Sequence, residues 1–305
     1  MDPVRLTHEL VANGSTYFSI AQEVDAGVLT QIRRGAYART ATTDAVAAHR
    51  QLLTATLAQT HPRAVVSHGS AAVLHGLPVP RSSIERVHLT RDRRGGGQRR
   101  TWLQVHGHPI DPCDMVELDG LAVTDLARTV VDLGCTLPVR DSVAVGDAAL
   151  RRGASADGLL SALCRVGSRR GVAAARRVLE LVDARSESYG ESISRVVLVE
   201  NGLRPTELQL EVRDRTGSIV ARSDFAWPEL GVLGEFDGRV KYGPALEPGR
   251  DAAQVLWDEK QREDVLRDLG WQVVRWVWSD LDDPSAWFAR LRRAFERGRR
   301  LPLPT

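Results

Sequence analysis

The apolar residues of this chain change period near residue 207, and that change limits the folds open to it. From 138 to about 201 they recur with helical spacing, in pieces broken at Gly153, at 167–168 and at 186–190. Beyond that point they alternate. Residues 208–213, 219–226 and 232–236 read as three strands, joined by turns at Thr216 and Gly217 and at 228–231. A charged helix over 251–269, stopped by Gly270, leads to a fourth strand at 271–276. A helix over 284–298 closes the order α-β-β-β-α-β-α. A right-handed crossover through the long helix lays the fourth strand beside the third.

Three carboxylates fall at informative places in this frame. Asp224 sits among apolar neighbours in the second strand, and Glu235 and Asp237 end the third. Residues two apart on a strand share a face, and a hairpin between strands two and three brings Asp224 opposite them. Converging carboxylates repel unless a divalent cation neutralises them, and a hard ion with oxygen ligands is the usual solution. Gly238 suits the sharp turn that follows. The plainer alternative is a turn signal at Asp237 and Gly238 beside a strand-edge charge.

The front of the chain has a different character. Helices are expected over 3–13 and 17–26, then a short hairpin over 28–39 that carries Arg33, Arg34 and Arg39. Helix, helix and basic hairpin is a winged-helix-like layout, in which the wing touches phosphate. A helix over 43–59 follows, then a strand or turn and a short helix over 65–78. Strands at 87–90 and 102–108 flank an arginine-rich loop, 91–100. Its Arg93, Arg94, Arg99 and Arg100 suit a mobile phosphate-tracking arm or a solvated turn. Asp119 and Gly120 suit a hairpin turn, and Thr124 or Asp125 caps a helix through Leu133. The fold class expected is therefore α+β multidomain. A winged-helix-like DNA-binding domain spans 1–60, an α/β then helical connecting region 61–185, and an α/β domain with a mixed central sheet 186–305.

Composition narrows the chemistry. A length of 305 residues with 43% hydrophobic and 26% charged residues suits two or three globular domains. No run of about 18 apolar residues exists and the first residues are polar, so membrane spanning and secretion are not expected. Cys113, Cys135 and Cys164 lack metal-type spacing and read as buried thiols of a cytoplasmic protein. Of 41 basic residues only Lys241 and Lys260 are lysine, and both flank the carboxylates. Lysine is a compact donor with a tunable pKa, and either one could assist a nucleophilic water.

The segments Ser223-Asp-Phe-Ala-Trp-Pro228, Val232-Leu-Gly-Glu-Phe-Asp-Gly238, Glu259-Lys-Gln-Arg-Glu-Asp-Val-Leu266 and Leu269-Gly-Trp-Gln-Val-Val-Arg-Trp276 together resemble the PD-(D/E)xK nuclease superfamily. The branch they are most similar to is that of the very-short-patch repair endonucleases. The resemblance covers about 186–282. It implies a restriction-endonuclease-like core, a bound magnesium or manganese ion and hydrolysis of DNA. By it Asp224 and Glu235 are metal ligands, with Asp237 as ligand or support, and Glu191 is the acidic residue of the first helix. The family pattern expects lysine two residues after the glutamate, where this chain has Asp237.

Ile32-Arg-Arg-Gly-Ala-Tyr37, Ser67-His-Gly-Ser-Ala-Ala72, Leu74-His-Gly-Leu-Pro78 and Val123-Thr-Asp-Leu-Ala-Arg-Thr-Val-Val-Asp132 resemble, more loosely, abortive-infection type IV antitoxins. Those are DNA-binding repressors, and the resemblance implies DNA and a cognate toxin as partners. The leading expectation is a magnesium-dependent deoxyribonuclease. The alternative is a catalytically inactive DNA-binding regulator or antitoxin. A carboxylate hydrolase acting on small molecules has no further motif behind it.

Overall fold

In a computed structural model of the chain, which describes residues 4–40, 42–59, 64–92, 96–238 and 252–299, the periodic segments become strands and helices. These residues form a mixed α/β protein with three sheets and twelve α-helices, in two compact units, Met1–Val182 and Asp183–Thr305. The expected boundary at 60/61 falls inside the first unit. Among the described residues no helix is long and apolar enough to cross a membrane.

The first unit opens with β1 (Arg5–Leu6), α1 (Thr7–Ala12), α2 (Tyr17–Asp25), β2 (Thr30–Arg33) and β3 (Ala36–Ala38), its strands in the order β1-β3-β2. The expected first helix is shorter than 3–13. Arg5 and Leu6 pair instead with Tyr37 and Ala36, and the Glu9 carboxylate accepts the Leu6 N–H at 2.7 Å. Leu10, Ile20 and Leu29 form the small core beneath.

After α3 (Ala45–Leu57) come β4 (Val65–Val66), α4 (His68–Leu74), β5 (Val87–Arg91), β6 (Gln98–Arg99), β7 (Leu103–Gly107), β8 (Met115–Leu118) and β9 (Leu121–Thr124). The six strands run in the order β6-β7-β5-β4-β9-β8. Part of the expected arginine-rich loop is therefore strand, with Gln98 and Arg99 paired to Val105 and Gln104. Gly97 permits this approach, since a Cβ there would lie 2.4 Å from the Val105 carbonyl oxygen. Asp119 and Gly120, at φ of 52° and 74°, make the expected turn between β8 and β9.

The helices α5 (Leu126–Gly134), α6 (Val139–Arg151), α7 (Ala156–Val166) and α8 (Val172–Leu179) complete the unit around Val130, Leu133, Val145, Leu159 and Ala175. Asp125 caps α5 as expected, accepting the Arg128 N–H at 2.7 Å. The cysteines are not the buried thiols expected. Cys113 and Cys164 are exposed and Cys135 is half-buried. Cys113 lies in a surface 3-10 turn, and Cys164 falls outside the buried stripe of Leu159, Ala162 and Leu163 on α7.

In the second unit, α9 (Tyr189–Glu200) precedes β10 (Glu207–Arg213), β11 (Ile219–Trp227), β12 (Val232–Phe236), α10 (Ala252–Asp268), β13 (Gln272–Trp276), α11 (Trp278–Asp282) and α12 (Ser285–Gly298). The sheet runs β10-β11-β12-β13. Its first two pairings are antiparallel, and β12 pairs with β13 in parallel, as the crossover expectation required. Alternation decides the two faces. Phe225, Val274 and Trp276 join residues of α9 and α12, whereas Ala226 and Leu233 pack with Leu266 of α10. Trp276 stacks on Trp287 with ring centroids 4.6 Å apart. The short α11 was not expected; the Asp280 carboxylate, accepting the Val277 N–H at 3.0 Å, holds its first turn.

Candidate functional site

The register of the second sheet sets Phe225 against Gly234, which carries Asp224, within β11, alongside Glu235 near the end of β12. Asp224 Oδ2 accepts the Phe236 N–H at 2.8 Å, so its carboxylate lies across the end of the third strand. Burial, then the charges of Glu191 and Glu235, push the Asp224 carboxyl up to about 6, against the Phe236 hydrogen bond.

Glu191, 8% exposed, lies in the first turn of α9. Its Oε2 accepts the Glu187 N–H at 2.8 Å and the Gln209 side-chain amide at 2.9 Å. Gln209 also hydrogen-bonds the Asp224 side chain, so one amide joins two of the three carboxylates. Gln209 has φ of 55°, a left-handed conformation that a residue with a Cβ rarely adopts. Such strain at a cluster of carboxylates marks a position where the backbone serves the site rather than the sheet.

Ser188 sets the height of Glu191 by accepting its N–H at 3.1 Å as the cap of α9. Ser188→Ala is expected to lower the stability of the second unit by about 1 kcal/mol. Thermal unfolding checks this, and Ser188→Thr should recover most of the loss.

Glu235 is held differently. Arg262 of α10 donates to both of its oxygens at 3.0 Å, and Arg275 of β13 donates to Oε2 at 2.9 Å. The parallel pairing that sets Glu235 against Arg275 makes the second contact possible. Asp237 follows the last residue of β12, its N–H bonded to the Trp276 carbonyl at 2.9 Å. Lys260 is exposed on α10, and Lys241 lies outside the described residues. The structure thus gathers Glu191, Asp224 and Glu235, and adds Gln209, Arg262 and Arg275, which the sequence reading missed.

Of the arginines expected to meet phosphate, Arg34, Arg39, Arg99 and Arg100 are exposed, while Arg93 and Arg94 lie outside the described residues. Arg33 is engaged within the first unit, donating to Gln59 at 2.6 Å and Thr56 at 3.3 Å.

The first unit also contains a buried polar cluster; His68, Arg128 and Asp132 lie in the segments that carry the antitoxin resemblance, but nothing in the sequence brought them together. Arg128 reaches Asp132 at 2.9 Å, Asp114 at 2.8 Å and the Pro109 carbonyl at 3.1 Å. Arg165 and Arg169 add contacts to Asp114 and Asp132, each at 2.7 Å. Beside them stand His68, His88 and His106. His88 Nδ1 lies 3.1 Å from His106 Nε2, and the His68 and His106 rings stack at 3.6 Å. Burial, reinforced by the neighbouring imidazoles, lowers His68 well below the usual range and His88 to about 3. Burial also lowers His106 to about 4, against the pull of Asp132. All eight histidines lie at or before residue 108, which is the signal in the sequence for the imidazoles.

No family model matches the chain. Two curated proteins of Mycobacterium tuberculosis do: "Uncharacterized protein Rv2248" of strain H37Rv and "Uncharacterized protein MT2308" of strain CDC 1551. Each is 30% identical over 238 residues, which cover 77% of this chain and 83% of the relative. Identity of that extent runs through more than one motif or one unit, and the chain belongs to the same family as these two mycobacterial proteins.

Proposed function

We propose that this chain is a cytoplasmic DNA-binding protein whose second unit hydrolyses DNA phosphodiester bonds with a divalent cation, in the manner of PD-(D/E)xK nucleases. The observation that carries the reading is Asp224 on β11, its carboxyl raised to about 6 beside Glu191 and the Glu235 of the paired strand β12. Burial and two like charges both disfavour the ionised form there, and a hard cation with oxygen ligands relieves both. Asp224 and Glu235 would hold magnesium or manganese, with Glu191 near Asp224 in space and Asp237 two residues after Glu235. When bound, such an ion polarises a phosphate oxygen and lowers the pKa of its water.

The chain's own residues supply the rest. Gln209 fixes Glu191 and Asp224 relative to each other, and Arg262 and Arg275 orient Glu235 while setting positive charge beside it. Lys260 and Lys241 remain the candidates for holding a water. In the first unit, the β1-β3-β2 sheet with α1 and α2 supports a winged-helix-like reading, and exposed Arg34, Arg39, Arg99 and Arg100 suit a DNA backbone.

One feature favours a second reading, a DNA-binding regulator of the antitoxin kind with an inert nuclease fold and a cognate toxin as partner. Asp237 stands where the nuclease pattern has lysine, and two arginines already neutralise Glu235. Supercoiled plasmid incubated with magnesium or manganese separates the two. Nicking that both Asp224→Ala and Glu235→Ala abolish supports the nuclease. Salt-sensitive binding with no cleavage in either metal supports the regulator, and absence of both binding and cleavage sinks both.

A further inference from the structure

We propose that His68, His88, His106 and Asp132 form a binding site for a divalent transition metal of the zinc class in the first unit. It is separate from the carboxylate site and independent of the function proposed for that site. Each histidine offers a ring nitrogen, and the three atoms lie within 4.8 Å of one another. Tetrahedral zinc with bonds of about 2.0–2.1 Å to nitrogen sets its ligand atoms about 3.3 Å apart, so binding draws these nitrogens together by up to about 1.5 Å and turns the stacked His68 and His106 rings toward one ion.

The fourth ligand is the second observation. Asp132 is fully buried, and its Oδ2 makes no hydrogen bond although Oδ1 accepts from both Arg128 and Arg169. That idle oxygen lies 3.9 Å from His68 Nδ1. A buried carboxylate oxygen without a partner is costly, and coordination to a cation is one of few ways to satisfy it. The guanidiniums on Oδ1 hold the carboxylate in orientation, as hydrogen bonds behind a metal ligand commonly do.

Three imidazoles and one carboxylate select a borderline ion such as zinc over magnesium. The backbone is arranged for the same gathering. His88 and His106 lie on one face of the parallel pair β5 and β7, where His106 is in register with Thr90. His68 has φ of 51°, a conformation unfavourable for a residue with a Cβ, and it brings the first residue of α4 over that face. Coordination would replace the His88–His106 hydrogen bond and tie α4, β5, β7 and α5 through one ion.

The test is metal content of the full-length protein after incubation with zinc and gel filtration, together with the shift in unfolding temperature that zinc causes. The expected result is one zinc per chain and a raised unfolding temperature in wild type. His88→Asn and His106→Asn, folded by circular dichroism, should each weaken uptake by more than about 100-fold. The double variant Asp224→Ala, Glu235→Ala should keep its zinc, which separates this site from the other. Zinc absent from wild type, or retained undiminished by both histidine variants, overturns the proposal and leaves the cluster as a hydrogen-bonded network. If either histidine variant does not fold, Asp132→Asn replaces it, with weakened uptake expected and undiminished uptake counting against the site.

Discussion

Replacing Arg128 with methionine is expected to lower the stability of the first unit by about 3–5 kcal/mol, the usual cost of removing one partner from a buried ion pair. Methionine keeps much of the aliphatic volume, so the loss is electrostatic. Arg128 is 1% exposed and serves two carboxylates that are themselves fully buried, Asp114 and Asp132. It also satisfies the Pro109 carbonyl. Arg165 and Arg169 remain on the two carboxylates after the change, but neither bridges them. The bridge matters because Asp114 immediately precedes β8 while Arg128 and Asp132 both belong to α5, so the Arg128–Asp114 contact locks the edge of the sheet to the first helix of the helical layer.

Tryptophan fluorescence is a poor probe of this unit, since Trp102 is the only tryptophan before residue 200. Hydrogen exchange across α5 and β8 in increasing urea reads it directly. Adding Asp114→Asn to Arg128→Met should recover part of the loss by removing one orphaned charge. A change below about 1 kcal/mol would mean that Arg165 and Arg169 suffice and that the bridge carries no weight.

Asp224→Asn is expected to act in the opposite direction, with a size set by pH. In chelator, the Asp224 carboxyl titrates near 6 in the folded protein against 3.8 ordinarily. The unfolded chain therefore loses this proton at lower pH than the folded one, and ionisation favours unfolding. The penalty on the wild type is absent below about pH 4, grows between about pH 4 and 6, and is complete above that window.

A difference of this size corresponds to about 3 kcal/mol, and partial solvent access reduces it to about 2 kcal/mol. Asparagine retains an oxygen for the Phe236 N–H and lacks the charge that Glu191 and Glu235 oppose. The variant should be about 2 kcal/mol more stable than wild type at pH 8 and equal to it at pH 4. Urea unfolding followed by the tryptophans of the second unit measures both points. Equal stability at both pH values would show that Asp224 is not held against its charge, and would remove the argument for a cation there.

Much of the second unit was legible in the residues because one physical rule governs it. A strand buried on two differently packed faces must alternate, and Phe225 and Ala226, or Leu233 and Gly234, do so against α9 and α12 on one side and α10 on the other. The helices carried their own stops, as at Gly153 and Gly270. Asp224 and Glu235 were visible for the same reason, each standing out against the pattern of its strand, whereas Glu191 was reached only through the family resemblance. Three short elements were not visible: β1 and β6 exist only because strands elsewhere in the chain pair with them, and α11 is a single turn held by one side-chain cap.

The order of the main elements, and the acidic residues on β11 and at the end of β12, follow from the amino-acid pattern alone, because periodicity and turn chemistry act within a few residues. What surrounds those carboxylates, and what else the chain brings together, depends on long-range packing. Arg275 meets Glu235 through parallel pairing, Gln209 meets Glu191 through a left-handed residue, and His68 meets His88, His106 and Asp132 through the packing of α4 and α5 on a sheet. Each of these contacts joins residues far apart in the chain, and no local pattern of hydrophobicity or charge encodes which distant side chains will share a buried space.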